Sequence, residues 1–214
     1  MDRLAWYRRI APSYDLVCRP LYAGPRRAAV DALSLQPGER VLDVGCGTGL
    51  ALPALAAAVG ESGRVVGVDG APPMLARAAR RACRHPQVEL VEHDLLLADW
   101  PAAVAAAAPF DALVFGLSLA VVEDWRGVFE RAWRLLGRDG RCAIYDTRPL
   151  QGGWRLLNPL FVPLAGWTGR ADLRRPTWEL LADRAEPIAA REFLGGFVSV
   201  RVGRRAAATP AAGA

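Results

Sequence analysis

The sequence contains no lysine; all 27 of its basic residues are arginine, set against 22 acidic residues for a net charge of +5. A basic chain of this kind raises nucleic acid as a partner only when its cations form a stripe or patch. Here the arginines are scattered, and the abundance of alanine, glycine and proline beside them fits the coding bias of a GC-rich genome. The basic residues therefore read as a solvated surface, and no nucleic-acid partner is expected. Metal-ligating residues are scarce as well. The four cysteines, Cys18, Cys46, Cys83 and Cys142, are far apart with no C-x-x-C pair, and there are two histidines, His85 and His93. That excludes a zinc-site spacing and a disulfide scaffold, predicts no metal, and points to reduced thiols in a cytoplasmic protein. A long hydrophobic run is missing too. The most apolar region, Ala102 to Val122, is interrupted by Pro109 and Asp111, so it predicts a helix and a buried strand instead of a membrane span. The opening "MDRLAWYRRIAPSYD" lacks the basic-then-apolar order of a signal peptide.

What is present is core material: 52% of the 214 residues are apolar and 23% charged, which suits one folded domain over residues 1–205. Strand-like and helix-like segments alternate, the pattern of a doubly wound α/β sheet. After a helical opening segment, Leu4–Leu33, strands are predicted at Arg40–Val44, Arg64–Asp69, Val88–His93, Phe110–Leu117 and Arg141–Asp146. Helices are expected at Thr48–Val59, from Pro72, near Pro101 and over Asp124–Leu136, the last closed by "GRDG". Beyond these, Gly152–Trp167 is apolar and proline-broken, and Thr177–Arg184 predicts a short helix. Ile188–Leu194 and Phe197–Val202 flank Gly195–Gly196 as a hairpin. The tail from Ala206 reads as disordered.

The chemistry concentrates in "RVLDVGCGTGL", Arg40 to Leu50. Three glycines follow a strand and precede a helix, where a ligand can approach the backbone closely. The dinucleotide fingerprint G-x-G-x-x-G/A fails, because its third small residue falls on Leu50. Asp43 would also repel a pyrophosphate, and it suits a cationic group such as an amino-acid ammonium. Asp69 ends the second strand, where a carboxylate accepts hydrogen bonds from ribose hydroxyls. Asp94 follows the third strand, in place to receive an adenine amino group.

"VLDVGCGTG", "VVGVDGAPPML", "HDLL" and "FDALVFGLSLAVVEDW…LLGRDGRCAIYD" resemble the successive motifs of class I S-adenosylmethionine-dependent methyltransferases. Within that family the features "APSYD…PLY", "LSLAVVEDW" and "FLGGFVSVRVGR" resemble the branch of ubiquinone/menaquinone C-methyltransferases and bacterial phospholipid N-methyltransferases. The resemblance implies a Rossmann-like α/β fold: seven strands, mostly parallel, the last antiparallel, with helices on both faces. It implies S-adenosyl-L-methionine as cofactor. Asp43 with Gly45, Cys46, Gly47, Thr48 and Gly49 would hold the methionine end, Asp69 and Gly70 the ribose, and Met74, Asp94 and Leu95 the adenine. Gly116 and Ser118 would floor the sulfonium site, and Tyr14 would cap it. Tyr14 and Asp146 are the candidate catalytic residues.

The resemblance also places the substrate-specific elements in an N-terminal cap, residues 1–38, and a lid insertion, residues 151–185. Both are aromatic, aliphatic and flanked by arginine. They suit a small hydrophobic or amphiphilic acceptor, such as a lipid headgroup amine, a quinol or a secondary metabolite, and allow contact with an anionic membrane surface. Two other classes stay open: a cofactor-binding protein without catalysis, and a nucleotide-dependent oxidoreductase, against which Leu50 and Asp43 argue.

Overall fold

The apolar runs of the sequence assemble into one sheet because each is buried on both faces once helices cover it. The computed structural model describes residues 15–16, 18–169 and 171–206. Tyr14, the opening segment up to residue 14 with residue 17, and the tail beyond 206 lie outside the described residues. Strands β1 (Arg40–Val44), β2 (Arg64–Asp69), β3 (Val88–Glu92), β4 (Phe110–Gly116), β5 (Leu136–Thr147), β6 (Ala185–Phe193) and β7 (Val198–Arg205) form a sheet of order β3-β2-β1-β4-β5-β7-β6. β1 to β5 pair in parallel, whereas β7 runs antiparallel to both β5 and β6. The strand order reverses between β1 and β4, and a crevice opens there at the carboxyl ends of the strands.

Alternation along the strands sorts the core into two layers. Leu42, Val44, Val66, Val68, Leu113, Phe115 and Ile144 pack on one face against α5 (Trp125–Leu135). Val41, Val65, Ala112, Val114, Ala143 and Tyr145 pack on the other, against α1 (Ala23–Leu33) and α2 (Leu52–Val59). Helix α5 follows the predicted amphipathic spacing, with Val128, Phe129, Ala132 and Trp133 buried. Its N-cap is Asp124, whose Oδ1 accepts from Gly127 N at 3.0 Å. Helix α3 (Pro72–Ala82) starts on the two prolines, as expected, and α4 is Ala102–Ala107.

Four expectations need correction. The helix after the glycine loop begins at Leu52, not Thr48, because Gly47 and Gly49 hold positive φ (56° and 77°) that no helix continues. "GRDG" does not close α5. Leu136 pairs directly with Phe110 and the four residues sit inside β5 at a register shift, with Asp139 in the left-handed region at φ 59°. Gly152–Trp167 is not broken by its prolines: a 3₁₀ turn, Gly152–Leu157, leads into helix α6 (Asn158–Gly169), which carries Pro163 in its interior. Thr177–Arg184 shortens to a 3₁₀ turn, Thr177–Glu179, whose following residues Leu180 and Leu181 anchor it in the core. The hairpin forms as predicted, and Leu194, Gly195 and Gly196 all take positive φ in its turn.

Candidate active site

The loop between β1 and α2 is shaped by its glycines. Gly45 has φ 73°, and a Cβ there would lie 2.6 Å from Ser118 Cβ, so the residue must be bare for the β1 and β4 loops to meet. At Gly49 a Cβ would strike Leu52 Cδ1 at 2.7 Å and Ala78 Cβ at 2.9 Å. Gly47 is different: nothing lies within 4 Å of the position its Cβ would take. Its bare face is turned to open space. The turn is held by Gly45 N and Cys46 N, both donating to Val68 O (2.8 and 2.9 Å), and by Gly47 N donating to Asp69 Oδ2 (2.9 Å).

Asp43 is buried and lines the pocket under this loop, together with Gly45, Gly47, Thr48, Gly116 and Tyr145. Burial, reinforced by the nearby charge of Asp69, pushes its carboxyl up to about 7. Asp69 is also raised by burial, and is moderated by the amides it accepts from, Ala71 N at 2.9 Å and Gly47 N. A carboxylate has about four lone-pair sites, so Asp69 keeps capacity for further donors. Cys46 also lines the pocket, but its thiol packs against Gly67 of β2 and burial raises it; it is held as an unreactive thiol.

The remaining sequence-identified residues fall into two groups. Leu95 and Ser118 approach the loop: Leu95 Cδ1 lies 3.7 Å and Ser118 Oγ 3.4 Å from the place of a Gly45 Cβ. Ser118 Oγ is buried and makes no hydrogen bond among the described residues, so it has a donor and acceptors to offer. Met74 is buried in the first turn of α3, and Gly70 follows Asp69 beside it. Asp94 and Asp146 both accept from backbone amides. Asp94 Oδ1 accepts from Leu96 N at 3.0 Å. Asp146 is buried, accepting from Ala120 N and Thr147 N at 2.8 Å each, and burial lifts it to about 7. It lies on the Ile144 side of the sheet by alternation, whereas Tyr145 shares the face of Asp43. Asp146 is not among the pocket-lining residues.

Sequence reasoning missed Arg26 and Asp15, and it placed Tyr145 at the ligand-binding end of the fifth strand without a role. Arg26, on α1, brings a positive charge to the pocket lining, and Cys18 lies beside it. Tyr145 places its hydroxyl 2.2 Å from where a Gly116 Cβ would stand, so the phenol lies flat over that glycine at the pocket wall. Burial raises its pKa, which keeps it a neutral donor. Asp15 clamps the outer side of the loop: Oδ1 accepts from Thr48 Oγ1 and Oδ2 from Arg81 Nη2, both at 2.6 Å, while Arg81 Nη1 donates to Thr48 O at 2.6 Å. Acids at successive strand ends were legible; the cation and the clamp come from helices whose docking is tertiary.

Comparison with known proteins gives a concordant picture. Residues 41–140 match the family model described as "Methyltransferase domain". The chain is 32% identical to aklanonic acid methyltransferase DauC of a Streptomyces species, over 71% of this chain and 68% of that protein. It is 38% identical to the 2-phytyl-1,4-naphtoquinone methyltransferase of Thermosynechococcus vestitus, over 66% of this chain and 63% of that protein. For the first curated relatives the chain spans 50–63% of their length. Among solved structures, a SAM-dependent methyltransferase from Aquifex aeolicus shares the fold, with TM-score 0.62 at 17% identity, covering 96% of this chain and all of the other.

Proposed function

This chain belongs to the S-adenosylmethionine-dependent methyltransferase family, and we propose that it transfers a methyl group to a small hydrophobic or amphiphilic acceptor. The observation that carries the reading is the pocket at the sheet's reversal point, where Asp43, the bare face of Gly47 and Arg26 converge. Its donors and acceptors fit S-adenosylmethionine. A carboxylate suits the ammonium of the methionine end, the Arg26 guanidinium its carboxylate, and Asp69 the ribose hydroxyls. The unpartnered Ser118 Oγ and the apolar flank of Met74 and Leu95 suit the rest. Bound there, the cofactor would supply an already activated methyl group on sulfur.

The protein's own task is then alignment. Holding two reactants in line contributes about 7–11 kcal/mol without any acid or base. Gly116 and Tyr145 form the wall where the acceptor would meet the methyl, and the neutral Tyr145 hydroxyl orients it by hydrogen bonding. Asp146 acts through structure: the bond it accepts from the Ala120 amide fixes the β4 loop to the end of β5, and the one from Thr147 holds its carboxylate in place. Residues 1–38 and 151–185 serve as the cap and lid that select the acceptor. Relatives named for naphtoquinone, demethylmenaquinone and aklanonic acid support an acceptor of that apolar kind. A lipid-soluble acceptor is collected at a membrane surface, so peripheral membrane contact belongs to the same reading.

Calorimetric titration tests the cofactor. Binding of S-adenosylmethionine without binding of NADH supports the reading, and the reverse pattern refutes it. A labelled-methyl assay over quinols, phenols, amines and lipids then tests catalysis. Tight cofactor binding with no transfer to any acceptor would make the chain a non-catalytic binding protein.

A further inference from the structure

We infer that residues 152–164 form a docking surface for an anionic phospholipid membrane. The inference deepens the reading above by naming the surface and the lipid chemistry. It starts from exposure: Trp154 is 62% exposed, Leu156 87%, Leu157 47%, Leu160 79% and Leu164 60%. A contiguous apolar row of this size is uncommon on a monomeric protein and marks an interaction site. The row is not a poorly seated core element. Phe161, at the edge of the row, packs edge-on against Phe197 with ring centroids 4.9 Å apart. The Trp154 indole lies over Gly195, with Cδ1 3.1 Å from where a Cβ would be. The hairpin turn thus anchors the segment through Phe161 and Trp154 and leaves Leu156, Leu160 and Leu164 outward.

Charge identifies the occupant. From Thr147 to Ala171 there is no carboxylate, while Arg148, Arg155 and Arg170 lie within that stretch; Arg148 is taken up by Glu192 at 2.7 Å. Arg155 and Arg174 line one groove of about 710 Å³ with Leu156, Pro159 and Val162. Neither guanidinium has a carboxylate partner among the described residues; Asp172, two residues before Arg174, accepts from the Arg174 amide at 3.1 Å and pairs with the Arg175 guanidinium at 3.4 Å. Two arginines in an apolar groove suit a phosphate headgroup above acyl chains. A tryptophan beside them suits the lipid–water interface. A second copy of the chain fits less well, because a two-fold contact centred on the groove would bring Arg155 and Arg174 against their own copies. No helix among the described residues is long and apolar enough to cross a membrane, so the contact is with one surface.

The test is co-sedimentation of the full chain with phosphatidylcholine vesicles, with and without phosphatidylglycerol. S-adenosylhomocysteine binding is measured on the same samples. Binding to the anionic vesicles is expected to exceed binding to the neutral ones about tenfold or more, as two arginines near a charged surface require. Leu156→Glu/Leu160→Glu should abolish it, and Arg155→Gln/Arg174→Gln should erase the anionic preference, both without changing S-adenosylhomocysteine affinity. No binding to either vesicle, or full binding by the Glu variant, overturns the inference. So does a concentration-dependent dimer broken by the same Glu substitutions. Vesicle binding by a chain that fails to bind S-adenosylhomocysteine upholds this surface and refutes the cofactor reading instead.

Discussion

Asp43 offers a quantitative test of the proposed cofactor pose, because its proton and the ligand's ammonium compete for the same oxygens. In the free protein burial holds this carboxyl at about 7, well above the ordinary value near 3.9. The sign follows. A raised pKa means that the free protein retains the proton through mildly acid pH, whereas an ammonium at the site favours the carboxylate. Binding therefore expels a proton, and affinity must rise with pH until the free carboxyl is ionised. With a pKa of 7, about one molecule in eleven is ionised at pH 6 and about half at pH 7, so affinity should rise about fivefold over that unit, roughly 1 kcal/mol. The ligand's own ammonium, made more basic than a peptide α-amino group (about 7.7–8.0) by the carboxylate beside it, stays charged across this window. Calorimetric titration of S-adenosylhomocysteine in buffers of different ionisation enthalpy counts the protons: close to one released at pH 6 and about half of one at pH 7. Asp43→Asn should bind more weakly at pH 7 and lose the slope, since Asp69 remains but is proposed to meet neutral hydroxyls. A flat wild-type profile would refute the argument, and so would a slope that survives in Asp43→Asn.

Three further outcomes can be checked with single substitutions. Asp69→Ala should weaken S-adenosylhomocysteine binding by about 1–3 kcal/mol, the cost of removing a charged acceptor, and should also release the amides of Gly47 and Ala71 that it holds at 2.9 Å; unchanged affinity by calorimetry counts against the ribose assignment. Arg26→Gln should cost about 1.5–3 kcal/mol in the same titration if its guanidinium meets the ligand carboxylate, whereas S-adenosylhomocysteine decarboxylated at the methionine end should be insensitive to it; equal losses for both ligands would remove that role. Gly116→Ala places a methyl 2.2 Å from the Tyr145 hydroxyl and should lower stability by about 1–3 kcal/mol through overpacking. An unshifted denaturation midpoint would mean that Tyr145 can leave that wall freely.

How much of this was legible in the sequence depends on how local each signal is. The parallel strands were readable because "VLDV", "RVVGVD" and "FDALVFG" are apolar runs closed by acids or glycine, and burial on both faces leaves little alternative. The glycine loop was readable because positive φ at Gly45, Gly47 and Gly49 is a demand on single residues. "GRDG" misled for the complementary reason. Its local turn chemistry was overridden when Leu136 paired with Phe110, a contact set by the docking of a whole helix. Arg26 was invisible for the same cause, since α1 reaches the pocket only through its packing against the far half of the sheet.

The choice between Tyr145 and Asp146 shows the limit most sharply. Adjacent residues on a strand point to opposite faces, so one of the two must share the side of Asp43. Which one depends on register across three strands: Asp43 aligns with Val114, and Val114 with Ala143. Counting two from Ala143 reaches Tyr145. Asp146 therefore falls on the opposite face, where Ala120 N and Thr147 N take up its oxygens. A slip of one residue in either pairing would exchange the two. Composition and motif at the end of β5 are the same in both cases, so a sequence that announces an acid at a strand end still leaves its chemical role to the pairing of its neighbours.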